Sequence, residues 1–457
     1  MSAREVDLVV IGLGPGGEAL ASGAAKAGLE VVAVDRHLVG GECPYYGCIP
    51  TKMMVRGSDL VAEVHRAPGL AGEATMTPAW SVVARRIDED ATTHWDDTIA
   101  VDRLVDAGAT VHHGVARLTG VGAVAVETAE GTVALTARRG VVLNTGTRPA
   151  VPPGEGLGET PYWTNRDAVR LTELPGSLVV LGGGPIGCEL AQVFARFGVR
   201  VTVVQHGPRL LPADEPEAAA LLEQVFVQEG IRVLTGVELQ RAAYADGAFT
   251  LALDTGEELT ADKLLVAAGR TPNLDDLGLE TVGLDPAART LEVDEWLRAG
   301  ERLWAIGDVT GHGAFTHVSM YQSAVALRDV LAQGGEPARY HAVPHTTFTD
   351  PEVGGVGMTE QQARDAGLRV RTGTTDLARS SRGFTHGAGG HGLIKVVEDA
   401  DRGVLVGATA MGPAGGEILG FLAVAVHAAV PVATLRSMIY AYPTFHRAIE
   451  SALGELG

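Results

Sequence analysis

Cysteine is scarce in this chain: three in 457 residues, at Cys43, Cys48 and Cys188. A secreted disulfide scaffold needs several pairs to hold its fold, so that class is excluded and a reducing compartment fits better. Positive charge is also short. Lys and Arg number 36 against 56 Asp and Glu, the formal net charge is -20, and lysine stands only at Lys26, Lys52, Lys263 and Lys395. Phosphate backbones are gripped by clustered Lys and Arg, so nucleic acid is excluded as a partner. No basic amphipathic segment is present to dock on anionic lipid, and no apolar run approaches the roughly 20 residues of a membrane helix. Met1 to Val10 has neither a basic lead nor a small-residue cleavage site, so no signal peptide is expected and the chain reads as cytoplasmic. Nor is a metal site expected, since a closed zinc site takes four ligands and no second cysteine pair exists.

What is present is an ordinary globular balance, 46% hydrophobic and 20% charged, in a length that predicts roughly two to four domains. Two segments share one design. The first runs Val6-Asp-Leu-Val-Val-Ile11, Gly12-Leu-Gly14-Pro-Gly-Gly17, a helical stretch to Lys26, then Glu30-Val-Val-Ala-Val-Asp35. The second runs Ser177-Leu-Val-Val-Leu181, Gly182-Gly-Gly184-Pro-Ile-Gly187, a helical stretch to Phe197, then Val199-Arg-Val-Thr-Val-Val204. Each reads as buried strand, glycine turn, helix and buried strand, the βαβ unit of a dinucleotide fold. Beyond Tyr340 short strands and a helical run from Gly416 to Ala429 predict a separate α+β domain. The expected fold is therefore α/β, with two Rossmann-like dinucleotide-binding domains and a C-terminal α+β dimerisation domain. The expected order is a first part of one nucleotide domain over 1–150, an inserted second over 151–270, the remainder of the first over 271–338, and an interface domain over 339–457.

In such a loop Gly12 permits the tight turn, Gly14 the close approach of a pyrophosphate to backbone N–H groups, and Gly17 the packing of helix on strand. Asp35, at the end of the next strand, is placed to accept hydrogen bonds from a ribose. Gly182, Gly184 and Gly187 repeat the pattern, but the strand after them ends at Gln205-His206. No carboxylate stands there to repel a 2′-phosphate, and His206 and Arg209 lie close enough in sequence to pair with one. The preference drawn from this is NADPH, with NADH open because Gln205 could equally bond a plain 2′-hydroxyl.

Cys43 and Cys48 lie in Gly40-Gly-Glu-Cys43-Pro-Tyr-Tyr-Gly-Cys48-Ile-Pro-Thr-Lys52. Five residues of regular helix would turn them roughly 140° apart, and Pro44 and Gly47 supply the distortion that could bring the sulfurs together. Cys188 reads as a small buried helix residue.

This segment resembles the redox-active disulfide motif of the pyridine nucleotide-disulfide oxidoreductases, the family of glutathione reductase, dihydrolipoamide dehydrogenase, mycothione reductase and mercuric reductase. Ala305-Ile-Gly-Asp308 is similar to the segment whose Asp holds the FAD ribityl chain, and Val343 to Gly357 to the opening of the dimerisation domain. The resemblance implies FAD in the first unit, NAD(P)H in the second, and a homodimer. It implies Cys48 against the flavin and Cys43 attacking the substrate, with Lys52 by the flavin and paired to Glu189. The helix entered at Thr316-His317 would point its positive end at the flavin, and Ala116, Gly146 and Gly269 would complete the cofactor contacts. The expected function is transfer of electrons from NAD(P)H through FAD to the cysteine pair and on to a small disulfide or related acceptor. A quinone reductase or transhydrogenase, with the cysteines off the path, is the alternative; a non-catalytic FAD-containing binding protein is a third.

One part of the pattern is broken. The family's C-terminal His-Pro-Thr-x-x-Glu supplies a base and its carboxylate; here Tyr442-Pro-Thr-Phe-His446-Arg447 puts Tyr442 and Arg447 at those positions. Three readings stand: His446 paired with Glu450 as a displaced dyad, Tyr442 acting alone, or no acid–base residue at all.

Overall fold

The structure, a computed structural model, describes residues 3–456. The α/β class holds, and the chain divides into two compact units. Met1–Pro50, Arg85–Pro149 and Arg270–Tyr340 make the first; Thr51–Ala84, Ala150–Gly269 and His341–Gly457 make the second.

In the first unit the strand Arg4–Ile11 lies parallel between Val31–Asp35 and Gly131–Leu143. Leu8, Val9 and Val10 are all fully buried, as a strand covered on both faces must be. The sheet continues to Thr110–His113 on one side and to Leu303–Ala305 and Arg298–Gly300 on the other. Val9, Val34, Val141 and Leu303 fill one core, and Leu8, Val10, Leu104 and Val325 another. Each such side chain contributes about 1.5–3 kcal/mol by leaving water. Strand order reverses at Arg4–Ile11, so the crevice that can take a ligand opens at its C-terminal end. The helices Pro15–Lys26 and Thr316–Val330 meet there. A Cβ on Gly16 would fall 2.1 Å from Ser319 Oγ, so only glycine allows that approach.

In the second unit a four-stranded parallel sheet runs Arg232–Thr235, Arg200–Gln205, Ser177–Leu181, Lys263–Val266. A three-stranded antiparallel meander follows its third element in sequence, Leu239–Ala245, Ala248–Leu253 and Glu258–Ala261. The C-terminal part is a five-stranded antiparallel sheet ordered Pro344–Thr347, Glu352–Gly357, Val404–Gly412, Leu393–Asp399, Val370–Asp376. Its core joins Val356, Ile394 and Leu405 to Leu422 and Ile449 from the helices Gly415–His427 and Ala448–Gly454. The helix Cys48–Arg66 carries the chain from the first unit into the second. Among the described residues no helix is long and apolar enough to cross a membrane.

Candidate active site

The first glycine loop is shaped for an anion. Gly12 has φ +92°, and a Cβ there would sit 2.3 Å from Asn144 O; a Cβ on Gly17 would sit 2.0 Å from Gly12 O. Gly14 precedes the helix Pro15–Lys26 in extended conformation with no side-chain cap, and Pro15 occupies the first turn. The first N–H groups of the helix therefore keep their donors, and its dipole favours negative charge at that end. Asp35 Oδ2 accepts from Leu13 N at 2.6 Å and Oδ1 from His37 N at 2.8 Å, so its carboxylate closes the loop. Asn144 reaches the loop with Nδ2 donating to Gly12 O at 3.2 Å, itself fixed by Ser319 Oγ donating to Asn144 Oδ1 at 3.1 Å. Thr145 Oγ1, in the same turn, is buried with no hydrogen-bond partner. An uncapped helix, a carboxylate at the strand end and an orphaned hydroxyl together fit a dinucleotide such as FAD.

The cysteine segment is seated on this loop. Gly40 N donates to Leu13 O at 2.7 Å, and a Cβ on Gly41 would lie 2.8 Å from Gly14 Cα. Gly41 has φ +68°, a left-handed conformation that favours glycine. Cys43 follows, half-buried in the short helix Glu42–Tyr45. Cys48 opens the long helix, exposed, with Sγ 3.5 Å from Thr316 Oγ1. Thr316 begins the helix Thr316–Val330, which also has no side-chain cap; His317 stacks on Phe315 with centroids 5.2 Å apart.

The same unit holds the expected residues Asp308, Ala116 and Gly146 together with Thr147, Arg270 and Trp95, which no motif marks. Asp308 Oδ2 accepts from Thr147 Oγ1 at 2.6 Å, Thr147 Oγ1 accepts from Arg270 Nε at 2.5 Å, and Arg270 pairs with Glu42 at 3.4 Å. That chain links the residue beside Cys43 to Asp308. Tyr46 stacks on Trp95 with centroids 5.9 Å apart. Thr93, His94 and Trp95 all have positive φ, of 49°, 59° and 61°, a strained run of the kind that clusters at functional sites. Tyr45 donates to Asp96 O at 3.2 Å, and burial, reinforced by Asp97, pushes its phenol up to about 12. Ala116 is buried on the strand Val115–Gly120, and Gly146 has φ +62° with open space where a Cβ would be. The partners lie far apart in the chain, Tyr45 and Asp96 by 51 residues, Thr147 and Arg270 by 123 and Thr147 and Asp308 by 161.

In the second unit Lys52, four residues after Cys48, donates to Glu189 Oε2 at 2.6 Å. Glu189 is 5% exposed, and its other oxygen accepts from Phe348 N at 2.8 Å. Lys52 Nζ also lies 4.6 Å from the Phe348 ring centroid. Both oxygens of the buried carboxylate are thus satisfied, and Lys52 is held with one N–H used and its other donors to spare. Cys188, next to Glu189, is fully buried; its Sγ donates to Gly183 O at 3.3 Å, and burial holds its thiol far above the ordinary range.

The second glycine loop repeats the first. A Cβ on Gly182 would lie 2.3 Å from Ala267 O, and one on Gly187 1.9 Å from Gly182 O; Gly184 meets nothing within 4 Å. Gly269 has φ +120°. Gln205 Oε1 takes the place of a carboxylate oxygen, accepting from Gly183 N at 2.7 Å. Both basic residues of the expected 2′-phosphate cradle have partners within the fold. Arg209 Nη2 donates to Pro212 O at 2.9 Å and to Asp214 O at 3.3 Å, and its Nε is buried. His206 Nδ1 pairs with Glu238 Oε1 at 3.0 Å.

At the C-terminus Glu450 Oε2 pairs with Arg447 at 3.0 Å. The Arg447 guanidinium lies 5.6 Å from the Tyr442 ring centroid, and Tyr442 is 68% exposed. His446 lies with its ring 6.1 Å from that of Tyr440.

Comparison with known proteins matches two family models to this chain. One, described as pyridine nucleotide-disulphide oxidoreductase, covers residues 6–326; the other, its dimerisation domain, covers residues 343–453. A dihydrolipoyl dehydrogenase of Chlorobaculum tepidum is 32% identical, over 98% of this chain and 97% of its own length. A mercuric reductase of Streptomyces lividans is 32% identical, over 98% and 95%. Among solved structures, the Cu(II) complex of the HOCl-induced flavoprotein disulfide reductase RclA from Escherichia coli superposes with a TM-score of 0.87 at 27% identity, covering 99% of both chains. LpdA from Mycobacterium tuberculosis gives 0.87 at 26%, covering 99% of this chain and 100% of its own.

Proposed function

The chain belongs to the class I pyridine nucleotide-disulphide oxidoreductases, and from that premise we propose that its Cys43–Cys48 pair relays electrons to a small disulfide or related thiol-reactive acceptor. Membership makes it an FAD-dependent enzyme that uses NAD(P)H, and its dimerisation domain supports a homodimer. The observation that carries the reading is the seating of Gly40 and Gly41 on Leu13 and Gly14, which fastens the cysteine segment to the loop suited to FAD.

FAD would be held by Gly12, Gly14, Asp35 and Asp308, and when bound supplies a two-electron relay between a nicotinamide and a disulfide. The positive end of the helix Thr316–Val330 lies beside Cys48 Sγ and favours the thiolate over the thiol. Once the pair is reduced, the Cys43 thiolate attacks one sulfur of the acceptor, forming a mixed disulfide and expelling the other sulfur as thiolate. Cys48 then attacks Cys43 Sγ, re-forming the Cys43–Cys48 bond and releasing the second thiolate; two electrons have moved, and each product takes one proton. Glu189 anchors the Lys52 side chain one helical turn from Cys48. Tyr442, the exposed phenol under Arg447, is the proton donor this reading favours, since Glu450 Oε2 is paired with Arg447.

The relatives are named for dihydrolipoyl, a dithiol, and for the mercuric ion, which binds thiols. No cysteine follows Cys188 in this sequence.

The test is anaerobic alkylation read by mass spectrometry. Addition of one equivalent of NADH or NADPH should render Cys43 and Cys48 newly labelled, with buried Cys188 unlabelled throughout. Consumption of the nucleotide with neither cysteine labelled would sink the proposal.

A further inference from the structure

In the first unit the strand end is acidic: Asp35 takes the N–H of the loop on its carboxyl oxygen. In the second, Gln205 takes the equivalent N–H and is neutral. A carboxylate nevertheless stands at that mouth, one strand over. Gly236 N donates to Gly207 O at 2.8 Å and Val237 N to Gln205 O at 3.2 Å, so the segment after the strand Arg232–Thr235 runs alongside residues 205–207. Glu238 follows, exposed, with Oε1 3.0 Å from His206 Nδ1.

We infer that Glu238 sets the choice of nicotinamide nucleotide and that the second unit takes the dinucleotide with a free 2′-hydroxyl, NADH, in preference to its 2′-phosphorylated form. The inference rests on the reading of this loop as the nicotinamide nucleotide site. A 2′-phosphate at the strand end would face the Glu238 carboxylate and would have to displace it to reach His206. Arg209, the other cation, already donates from Nη2 to the carbonyls of Pro212 and Asp214, and its Nε is buried. Gln205 suits a hydroxyl. With Oε1 fixed by Gly183 N, its amide offers Nε2 as a donor on the far side. A phosphate that meets a carboxylate at an exposed site is disfavoured by roughly tenfold.

The experiment measures NAD⁺ and NADP⁺ binding to the holoenzyme by titration calorimetry, and kcat/KM for NADH and NADPH, in the wild type, Glu238→Gln and Glu238→Arg. The wild type is expected to favour the unphosphorylated nucleotide by about tenfold or more. Glu238→Gln should narrow that ratio by about threefold to tenfold through tighter NADP⁺ binding, with NAD⁺ little changed, and Glu238→Arg should narrow it further. A wild type that prefers NADPH, or a ratio unmoved in both variants, overturns the inference while leaving the nucleotide site in place. Failure of both nucleotides to bind would overturn it together with the reading beneath it.

Discussion

The two glycine loops have nearly one backbone, yet different surroundings. Cβ atoms on Gly12 and Gly182 would meet a carbonyl oxygen at the same 2.3 Å, and those on Gly17 and Gly187 would meet one at 2.0 and 1.9 Å. The strand-end side chains Asp35 and Gln205 receive the same loop N–H at 2.6 and 2.7 Å. Around the first loop, however, Gly41 presses on Gly14 and Asn144 reaches in from the next strand end, whereas Gly184 has open space. A fenced loop suits a group that stays; an open one suits a nucleotide that comes and goes. The helix ends differ too. Lys26 closes the first helix in solvent, while Arg196 closes the second at 5% exposure, with Asp59, Glu229 and Asp350 all within 2.9 Å.

The sharpest break in the comparison concerns the cysteines, which belong to the first loop alone. Cys43→Ser is expected to lower turnover with a disulfide acceptor by about 10³-fold or more, because the nucleophile itself is removed. Steady-state assay checks this, and unchanged turnover would move the account to the quinone reductase or transhydrogenase alternative. Next come the matched glycines. Gly17→Ala and Gly187→Ala each force a methyl against a carbonyl and should each cost about 1–3 kcal/mol of stability. Gly17→Ala should purify with reduced FAD content by absorbance, and Gly187→Ala with full FAD but a raised KM for the nucleotide. If both lose FAD equally, the division of labour between the loops is wrong.

A smaller effect is expected at Lys52. Replacement by Met should slow reduction by the nucleotide by about 10- to 100-fold in stopped flow while leaving FAD content intact. The smallest effect lies at the buried end of the second helix. Burial raises the Asp59 carboxyl to about 6, with Arg196 opposing, from an ordinary 3.8. Its folded form therefore binds a proton that the unfolded chain has released, and stability falls as pH rises from about 4 to 6. Asp59→Asn should be more stable than the wild type by about 1–2 kcal/mol at pH 7.5, with the gain vanishing by pH 4 in denaturant melts. A gain independent of pH would show that the charge is not its source.

The α/β class was legible because two buried strands flanking a glycine turn leave a local signature that tertiary packing cannot erase. The cysteine segment was legible for the same reason, since its spacing and glycines lie within thirteen residues of sequence. What the sequence hid are partners brought together across the fold. Thr147 and Arg270 meet over 123 residues, and Cys48 and Thr316 over 268. Trp95 carries no motif, and its stacking on Tyr46 depends on a left-handed run that no propensity predicts. Proximity in sequence likewise said nothing of Pro212, Asp214 and Glu238, which Arg209 and His206 meet in the fold.

The central claim is that electrons from the nucleotide reach Cys43 and Cys48. Anaerobic titration of the holoenzyme with NADH, followed by visible absorbance, tests it most directly. The account predicts a long-wavelength band after two electrons, from the Cys48 thiolate beside oxidised flavin, and its loss in Cys48→Ser. Direct bleaching in the wild type, with no such band and the same course in Cys48→Ser, would contradict it.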